Sequence, residues 1–231
     1  MKTPSKYQVA PEYPRIPHLS KDISNMTHDD IQVDKIPLPI DGVYQEKIDG
    51  ANCGMSWNDG PLLRNRDHIL KKGYTKIKTP AKKQFVPAWN WLHEHEDDIK
   101  EIIKLWESPI TIYGEWMLVK HSLDYTQLTD WFIAYDIWSL EDEKFLSPEL
   151  VSNLLSQTNI QFIKSYKKVF TDVQEIIDIS ETQSDYRDGV REGIVIKTSN
   201  GFFCENMYKI VNKHFTRRDD FNDEMIKNKL I

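Results

Sequence analysis

The sequence predicts an α+β fold, in which strands dominate the middle of the chain and helices are interspersed among them. Apolar runs of strand length lie at 110–119, 131–140 and 193–198. Between 87 and 106, apolar residues instead return at helical spacing, with charged residues between them. The chain has 231 residues, a length typical of one domain.

Proline sets the character of the first 40 residues. This segment holds six of the eleven prolines: Pro4, Pro11, Pro14, Pro17, Pro37 and Pro39. Because proline fixes φ and has no backbone N–H to donate, it is rare in central strands. We expect 1–40 to lie extended over the body of the protein and 41–231 to form the domain itself.

Local signals place the other elements. Asp49–Gly50 is a turn signal between two strand-like runs, Ser147–Pro148 is typical of a helix start, and Thr171 with Gln174 would form a capping box. In order, the predicted elements are two short strands over 42–57, a helix over 87–106, a helix from Ser147–Pro148, a helix over 172–179, a strand over 207–211 and a helical tail from Asp219.

Composition excludes several classes of protein. Hydrophobic residues make up 39% and charged residues 29%, which is neither a disordered nor a membrane composition. No apolar run approaches the ~18–20 residues of a membrane span, and residues 1–6 do not lead into a signal peptide. Cys53 and Cys204 form no metal-binding spacing, so we expect a reduced, cytoplasmic compartment. The formal net charge of −6 argues against a uniformly basic nucleic-acid binder but leaves local basic patches open.

Four charged residues lie in or beside apolar strands. Lys47 ends a strand before a turn, Glu115 lies within IYGEW, Glu192 begins EGIVIK and Lys209 lies within YKIV. Such charges are costly unless they are paired or face a polar cleft. Since alternate residues of a strand share a face, both carboxylates and Lys209 can face one side. They would suit phosphates, a divalent cation or ribose hydroxyls. The alternative is that each charge lies on a solvated edge strand.

Together with two further strings, these residues resemble the covalent nucleotidyltransferase superfamily of ATP-dependent ligases and capping enzymes, and within it the RNA ligase branch. The motifs that carry the resemblance are Lys47–Gly50, Asn65–Asp67, Tyr113–Trp116, Ala134–Ile137, Glu192–Lys197 and Tyr208–Val211. The resemblance implies an ATP-grasp-like adenylation domain, with antiparallel sheets and flanking helices around a nucleotide cleft. It also implies joining of RNA ends, a 5′-phosphate and a 3′-hydroxyl, with ATP and Mg²⁺ (or Mn²⁺).

The resemblance also implies a role for each motif residue. Lys47 would attack the α-phosphate of ATP and carry AMP, and Glu192 would coordinate the metal ion. Lys209 and the metal would disfavour the ammonium form of Lys47. The other residues implied to bind the nucleotide are Glu46 and Tyr135 at the base, Glu115 at the ribose, Arg66 at phosphate or ribose, Ile48 and Asn52 beside the nucleotide, and Lys197 with Lys209 at the phosphates.

The sequence departs from the family pattern near its end. Val211 stands where the last motif often carries a second lysine, and Lys213 would replace it only if the strand continues. Too few residues follow Lys209 for an OB-fold, so we expect none. This argues against a capping enzyme or a classical DNA ligase, and a protein partner would then supply the nucleic-acid clamp.

Two basic stretches are candidates for gripping RNA, although each also suits a solvated surface. The candidate residues are Lys71, Lys72, Lys76 and Lys78 in the first stretch, and Arg217 and Arg218 in the second. Two alternative functions stay open. One is a nick-sealing DNA ligase or a GTP-using capping-type transferase, and the other is a non-catalytic module that binds nucleotides or RNA ends.

Overall fold

Two antiparallel sheets form the framework of the computed structural model, which describes residues 11–19, 30–70, 83–216 and 226–231. The first sheet, in spatial order, contains β10 (Cys204–Val211), β9 (Gly193–Ser199), β1 (Ile40–Lys47) and β8 (Ser165–Phe170). The second contains β4 (Ile69–Leu70), β3 (Leu62–Asn65), β2 (Ala51–Ser56), β5 (Ile110–Trp116), β6 (Phe132–Ser139) and β7 (Lys144–Phe145). The helices are α1 (Val86–Glu94), α2 (Glu96–Trp106), α3 (Pro148–Leu155) and α4 (Val173–Ser180). The expected α+β fold of antiparallel sheets with flanking helices is confirmed.

The predicted pair of strands over 42–57 is present, but the two strands do not pair with each other. β1 pairs with β8 and β9, whereas β2 pairs with β3 and β5. The turn at 48–50 therefore carries the chain from one sheet to the other. Gly50 is required there, because an added Cβ would lie 2.6 Å from Met117 Sδ and 2.9 Å from the Trp116 carbonyl oxygen.

The predicted helix over 87–106 is two helices. The break falls at His95, whose ring stacks on Trp91 with the centroids 3.8 Å apart. α2 then begins anew with three acidic residues in its first turn, a favourable arrangement at the positive end of a helix dipole.

Of the two predicted helix starts, the one at Ser147 is confirmed and the one at Thr171 is shifted by one residue. Ser147 caps α3 as expected, and its Oγ accepts from the Leu150 N–H at 3.3 Å. The capping box predicted at Thr171 was wrong by one position. Asp172 is the N-cap of α4 and accepts from the Gln174 N–H, while Glu175 accepts from the Thr171 N–H.

The helical tail predicted from Asp219 is wrong where the structure describes it. Residues 226–231 are extended and bridge to Val119 and Leu128. Residues 217–225 lie outside the described residues.

Three apolar clusters support the framework. The largest lies between the second sheet and α1, α2 and α3. The second lies between the first sheet and α4, and the third surrounds Ile48 at the crossover. None of the helices in the described ranges is both long and apolar enough to cross a membrane.

Candidate active site

A cleft opens between the two sheets and encloses about 540 Å³ when its open mouth is included. It is lined from the first sheet by residues of β1 and β9 and from the second by residues of β5 and β6. The lining residues with polar or aromatic side chains are Tyr13, Gln45, Glu46, Lys47, Arg66, Glu115, Tyr135 and Lys197. Ile16, Ile48 and Val195 complete the wall.

Lys47, at the end of β1, contacts Glu192, which immediately precedes β9. Their strands pair in register, with Lys47 opposite Gly193, so the Lys47 ammonium donates directly to Glu192 Oε1. Burial alone would lower the pKa of Lys47, but the adjacent Glu192 carboxylate outweighs it and raises that pKa. Burial raises the pKa of Glu192 to about 7, against the opposing effect of Lys47. Next to Glu192 the lysine is held as an ammonium ion.

Glu115 contributes a second carboxylate from β5, and its side chain is half-buried. Burial raises its pKa to about 8, although the positive charges of Lys47 and Arg66 oppose the shift. Asn52 lies directly opposite Glu115 on β2. Arg66, on the turn between β3 and β4, is exposed at the cleft, and its carbonyl oxygen accepts from the buried Arg64 at 2.8 Å.

A β-bulge places both Tyr135 and Asp136 on the cleft side of β6. The register passes from Tyr113–Asp136 to Gly114–Ala134, which leaves Tyr135 without an opposite residue. Such a bulge lets two consecutive side chains point the same way. Tyr135 lines the cleft, and its hydroxyl accepts from Asn52 Nδ2 at 2.5 Å.

Lys197 and Asp136 form a buried ion pair that joins the two sheets. The Lys197 Nζ to Asp136 Oδ1 distance is 2.7 Å, and the two side chains are 1% and 0% exposed. Lys197 also donates to the Tyr135 carbonyl oxygen at 3.0 Å. The structure therefore places Lys197 at the cleft wall with its ammonium engaged by the protein.

Sequence analysis missed Tyr13. Its hydroxyl donates to Asp136 Oδ2 at 2.6 Å, and its ring lies 5.3 Å from the rings of both Tyr113 and Tyr135, centroid to centroid. Thus the proline-rich segment supplies part of the cleft wall. Nothing in the local pattern could have shown this, because one tyrosine among prolines carries no periodic signal.

Glu46 occupies the opposite face of β1 from Lys47, as strand alternation requires. Its carboxylate accepts from Ser184 Oγ at 2.5 Å and from the Asp185 N–H at 2.8 Å. Burial raises its pKa, although these hydrogen bonds oppose the shift. Protein groups therefore bind both carboxylate oxygens of Glu46. Glu46 lines the cleft at the end of the strand but offers it no free carboxylate. Ile48 likewise buries its side chain in the crossover cluster.

Lys209 is held by the segment that precedes β1. Its ammonium donates to Asp30 Oδ1 at 2.7 Å, and its backbone N–H donates to the Pro17 carbonyl oxygen at 2.8 Å. Burial lowers the pKa of Lys209, against the opposing effect of Asp30. Burial and the charge of Lys209 also lower the pKa of His18, to about 4.

Val211 occupies the position of the missing second lysine. Val211 ends β10 on the same face as Lys209, since the two are separated by one residue. The strand does not continue to Lys213, whose ammonium lies 3.1 Å from Glu181 Oε1 and whose side chain is 55% exposed. Lys213 therefore does not replace the missing lysine.

One carboxylate oxygen next to Lys47 suits a metal ion. Glu192 Oε2 is buried and has no hydrogen-bond partner among the described residues, and the same is true of Asn52 Oδ1. No group of three or more His, Cys, Asp or Glu side chains in the described ranges could by itself hold a metal ion. Mg²⁺ is commonly bound through one or two carboxylates together with substrate phosphates, so a single free carboxylate oxygen fits this ion.

The predicted RNA-gripping residues lie outside the described residues. They are Lys71, Lys72, Lys76, Lys78, Arg217 and Arg218.

Comparison with known proteins was made at the levels of family, sequence and structure. The RNA ligase family matches residues 41–211. Comparison with curated protein sequences finds no significant match. A Naegleria gruberi RNA ligase solved with PPi is similar in fold, with a TM-score of 0.53 and 16% identity over 74% of this chain and 49% of that chain. A mutant of that ligase with ATP and Mn gives a TM-score of 0.51 and 14% identity over 74% and 48%. The present chain thus spans about half the length of these ligases.

Proposed function

The chain belongs to the RNA ligase family, and from this premise we propose that it is an ATP-dependent RNA ligase that acts through an AMP adduct on Lys47. The observation that carries the proposal is the direct contact between Glu192 and Lys47, which lines the cleft between the two sheets. A binding module has no need of a nucleophile there. The Naegleria structures with ATP and Mn support the choice of nucleotide and of a divalent ion.

The first step is attack of the neutral Lys47 amine on the α-phosphorus of ATP. The Lys47 ammonium first gives a proton to solvent. A P–N bond then forms, the bond between the α-phosphorus and the bridging oxygen breaks, pyrophosphate leaves with the electron pair of that bond, and the attacking nitrogen releases a second proton to solvent. A metal ion held by Glu192 would neutralise phosphate charge and withdraw from Lys47 the carboxylate that keeps it charged. Lys47 must lose its proton before attack, because an ammonium ion has no free electron pair.

The remaining cleft residues would bind the nucleotide. Tyr135 is suited to stack on the base, Glu115 to accept hydrogen bonds from the ribose hydroxyls, and Arg66 and Lys209 to contact phosphate. Lys209 would exchange Asp30 for a phosphate oxygen, since its ammonium is otherwise engaged.

Transfer to RNA would follow in two steps. An oxygen of an RNA 5′-phosphate attacks the AMP phosphorus, the P–N bond breaks, and Lys47 regains a proton. A 3′-hydroxyl then attacks the 5′-phosphate, loses its proton, and expels AMP as the strand is sealed. The basic residues at 71–78 and 217–218, or a protein partner, would grip the RNA.

The proposal is tested with nicked and single-stranded RNA bearing a labelled 5′-phosphate, in the presence of Mg²⁺ and either ATP or GTP. We expect sealing with ATP, a transient AMP-capped RNA, and no sealing by Lys47→Ala. Sealing of DNA alone would indicate a DNA ligase, and transfer of GMP would indicate a capping-type enzyme. RNA binding with no covalent transfer would refute catalysis and leave a binding module.

A further inference from the structure

Residues 226–231 run beside residues 117–128, the stretch that follows β5. Backbone hydrogen bonds join the two stretches along their length. Each runs from a backbone N–H to a carbonyl oxygen, and the donor and acceptor residues are Lys120 and Ile226 (2.8 Å), Asn228 and Leu118 (3.1 Å), Lys229 and Tyr125 (3.1 Å), and Ile231 and Leu128 (2.9 Å). The 226–231 segment is therefore built into the fold beside the crossover between the sheets.

Asn228 is the residue of this segment that is buried, with 4% of it exposed. Its Nδ2 donates to the Met117 carbonyl oxygen at 2.7 Å, and its Oδ1 accepts from the Tyr125 N–H at 3.1 Å. One amide group thus ties together two points of the 117–128 stretch. A buried amide with donor and acceptor both satisfied fixes geometry in a way that an apolar side chain does not.

The stretch held by Asn228 in turn holds the turn after Lys47. The Asp49 backbone N–H donates to the Tyr125 hydroxyl at 2.8 Å. The Asp49 carboxylate accepts from the Ser122 N–H at 2.6 Å and from the Leu123 N–H at 3.1 Å. The backbone beside the nucleophile is therefore anchored to residues 122–125.

We propose that Asn228 is a positioning residue for Lys47, acting through Tyr125 and Asp49 to fix the turn that aims the lysine. This inference rests on the proposed function. Attack on phosphorus demands a precise position of the nucleophile, and a displacement of about 1 Å can cost on the order of a hundredfold in rate. No residue of 117–128 or 226–231 lines the cleft, so we expect the affinity for ATP to be independent of Asn228.

The test compares the full chain with Asn228→Ala, Tyr125→Phe, the double variant and Lys229→Ala. Lys229 is the matched control, because its side chain is exposed and only its backbone joins the stretch. The rate of AMP transfer to the protein is measured against ATP concentration, at a temperature where each variant is folded by circular dichroism. We expect Asn228→Ala and Tyr125→Phe each to lower the limiting rate about tenfold or more, with the KM for ATP unchanged. Lys229→Ala should match the wild type.

The double variant separates positioning from a general loss of stability. Effects that pass through one turn should not multiply, so the double variant should be no slower than about the worse single variant. A rate for Asn228→Ala equal to that of Lys229→Ala, or multiplying effects, would overturn the inference. If Asn228→Ala does not fold, Tyr125→Phe decides alone, since it removes a single oxygen and keeps the ring.

Failure of the proposed function is distinguishable from failure of this inference. If the wild type forms no nucleotide adduct with ATP or with GTP, amide hydrogen exchange replaces the rate measurement. Faster exchange at 48–50 and 117–125 in Asn228→Ala than in Lys229→Ala then supports the positioning role. Equal exchange in the two variants overturns it.

Discussion

Removing one partner of the ion pair between Lys197 and Asp136 should destabilise the protein strongly, because the pair joins the two sheets where water does not reach. Both side chains are essentially buried, at 1% and 0% exposure, and the charged atoms are 2.7 Å apart. The variant Asp136→Asn keeps the shape of the side chain but leaves the Lys197 ammonium without its counter-charge. Removing one partner of a buried pair typically costs about 3–5 kcal/mol. We expect a loss near the lower limit, about 3 kcal/mol, because the asparagine oxygen can still accept one hydrogen bond.

The measurement is urea unfolding, followed by tryptophan fluorescence, of wild type, Asp136→Asn, Lys197→Met and the double variant. The control is Glu101→Gln, which breaks a surface pair with Lys104 whose side chains are 41% and 75% exposed. That variant should cost less than about 0.5 kcal/mol.

Removing both buried charges should restore more than half of the stability lost in Asp136→Asn, because no charge is then stranded. The reasoning fails if Asp136→Asn costs no more than Glu101→Gln. It also fails if the double variant loses the sum of the two single losses.

Three further predictions concern the cleft. The pKa of Glu115 is raised in the folded protein from 4.5 to about 8. Its contribution to stability is therefore fully present below about pH 4.5 and is lost between about pH 4.5 and 8, at up to about 1.4 kcal/mol per pH unit. The melting temperature of Glu115→Gln should fall less over this range than that of the wild type, and parallel curves would contradict this. Tyr135→Ala should weaken ATP binding about tenfold through lost stacking, whereas Tyr135→Phe should bind ATP within about threefold of the wild type. Titration calorimetry measures the affinities, and equal losses of affinity in the two variants would refute stacking. Lys213→Ala should leave the rate of AMP transfer unchanged, because its ammonium pairs with Glu181 away from the cleft; a rate loss above about fivefold would contradict that placement.

The strand face that each charged side chain occupies could be predicted, because it follows from local rules. Glu115 and Lys47 each lie on a strand whose alternation fixes the face of every side chain. The same alternation, applied strictly, would have placed the Glu46 side chain on the far face of β1, where Ser184 and Asp185 bind it. A strand pattern read residue by residue therefore carries more information than a motif match alone.

The remaining features depend on contacts between residues far apart in sequence. An Asp–Gly turn signal is the same whether the flanking strands pair with each other or belong to different sheets, so the crossover at 48–50 could not be predicted. The bulge that presents Asp136 beside Tyr135 depends on the register with β5. Tyr13 and Asn228 reach the site only through partners more than a hundred residues away.

The central claim is a covalent AMP on Lys47. The protein should be incubated with ATP and Mg²⁺, digested, and its peptides identified by mass spectrometry, with Lys47→Arg treated in parallel. We expect an AMP adduct on the wild-type peptide that contains Lys47 and on no peptide of the variant. An adduct on another lysine such as Lys209, or no adduct on folded protein free of pre-bound AMP, would contradict it.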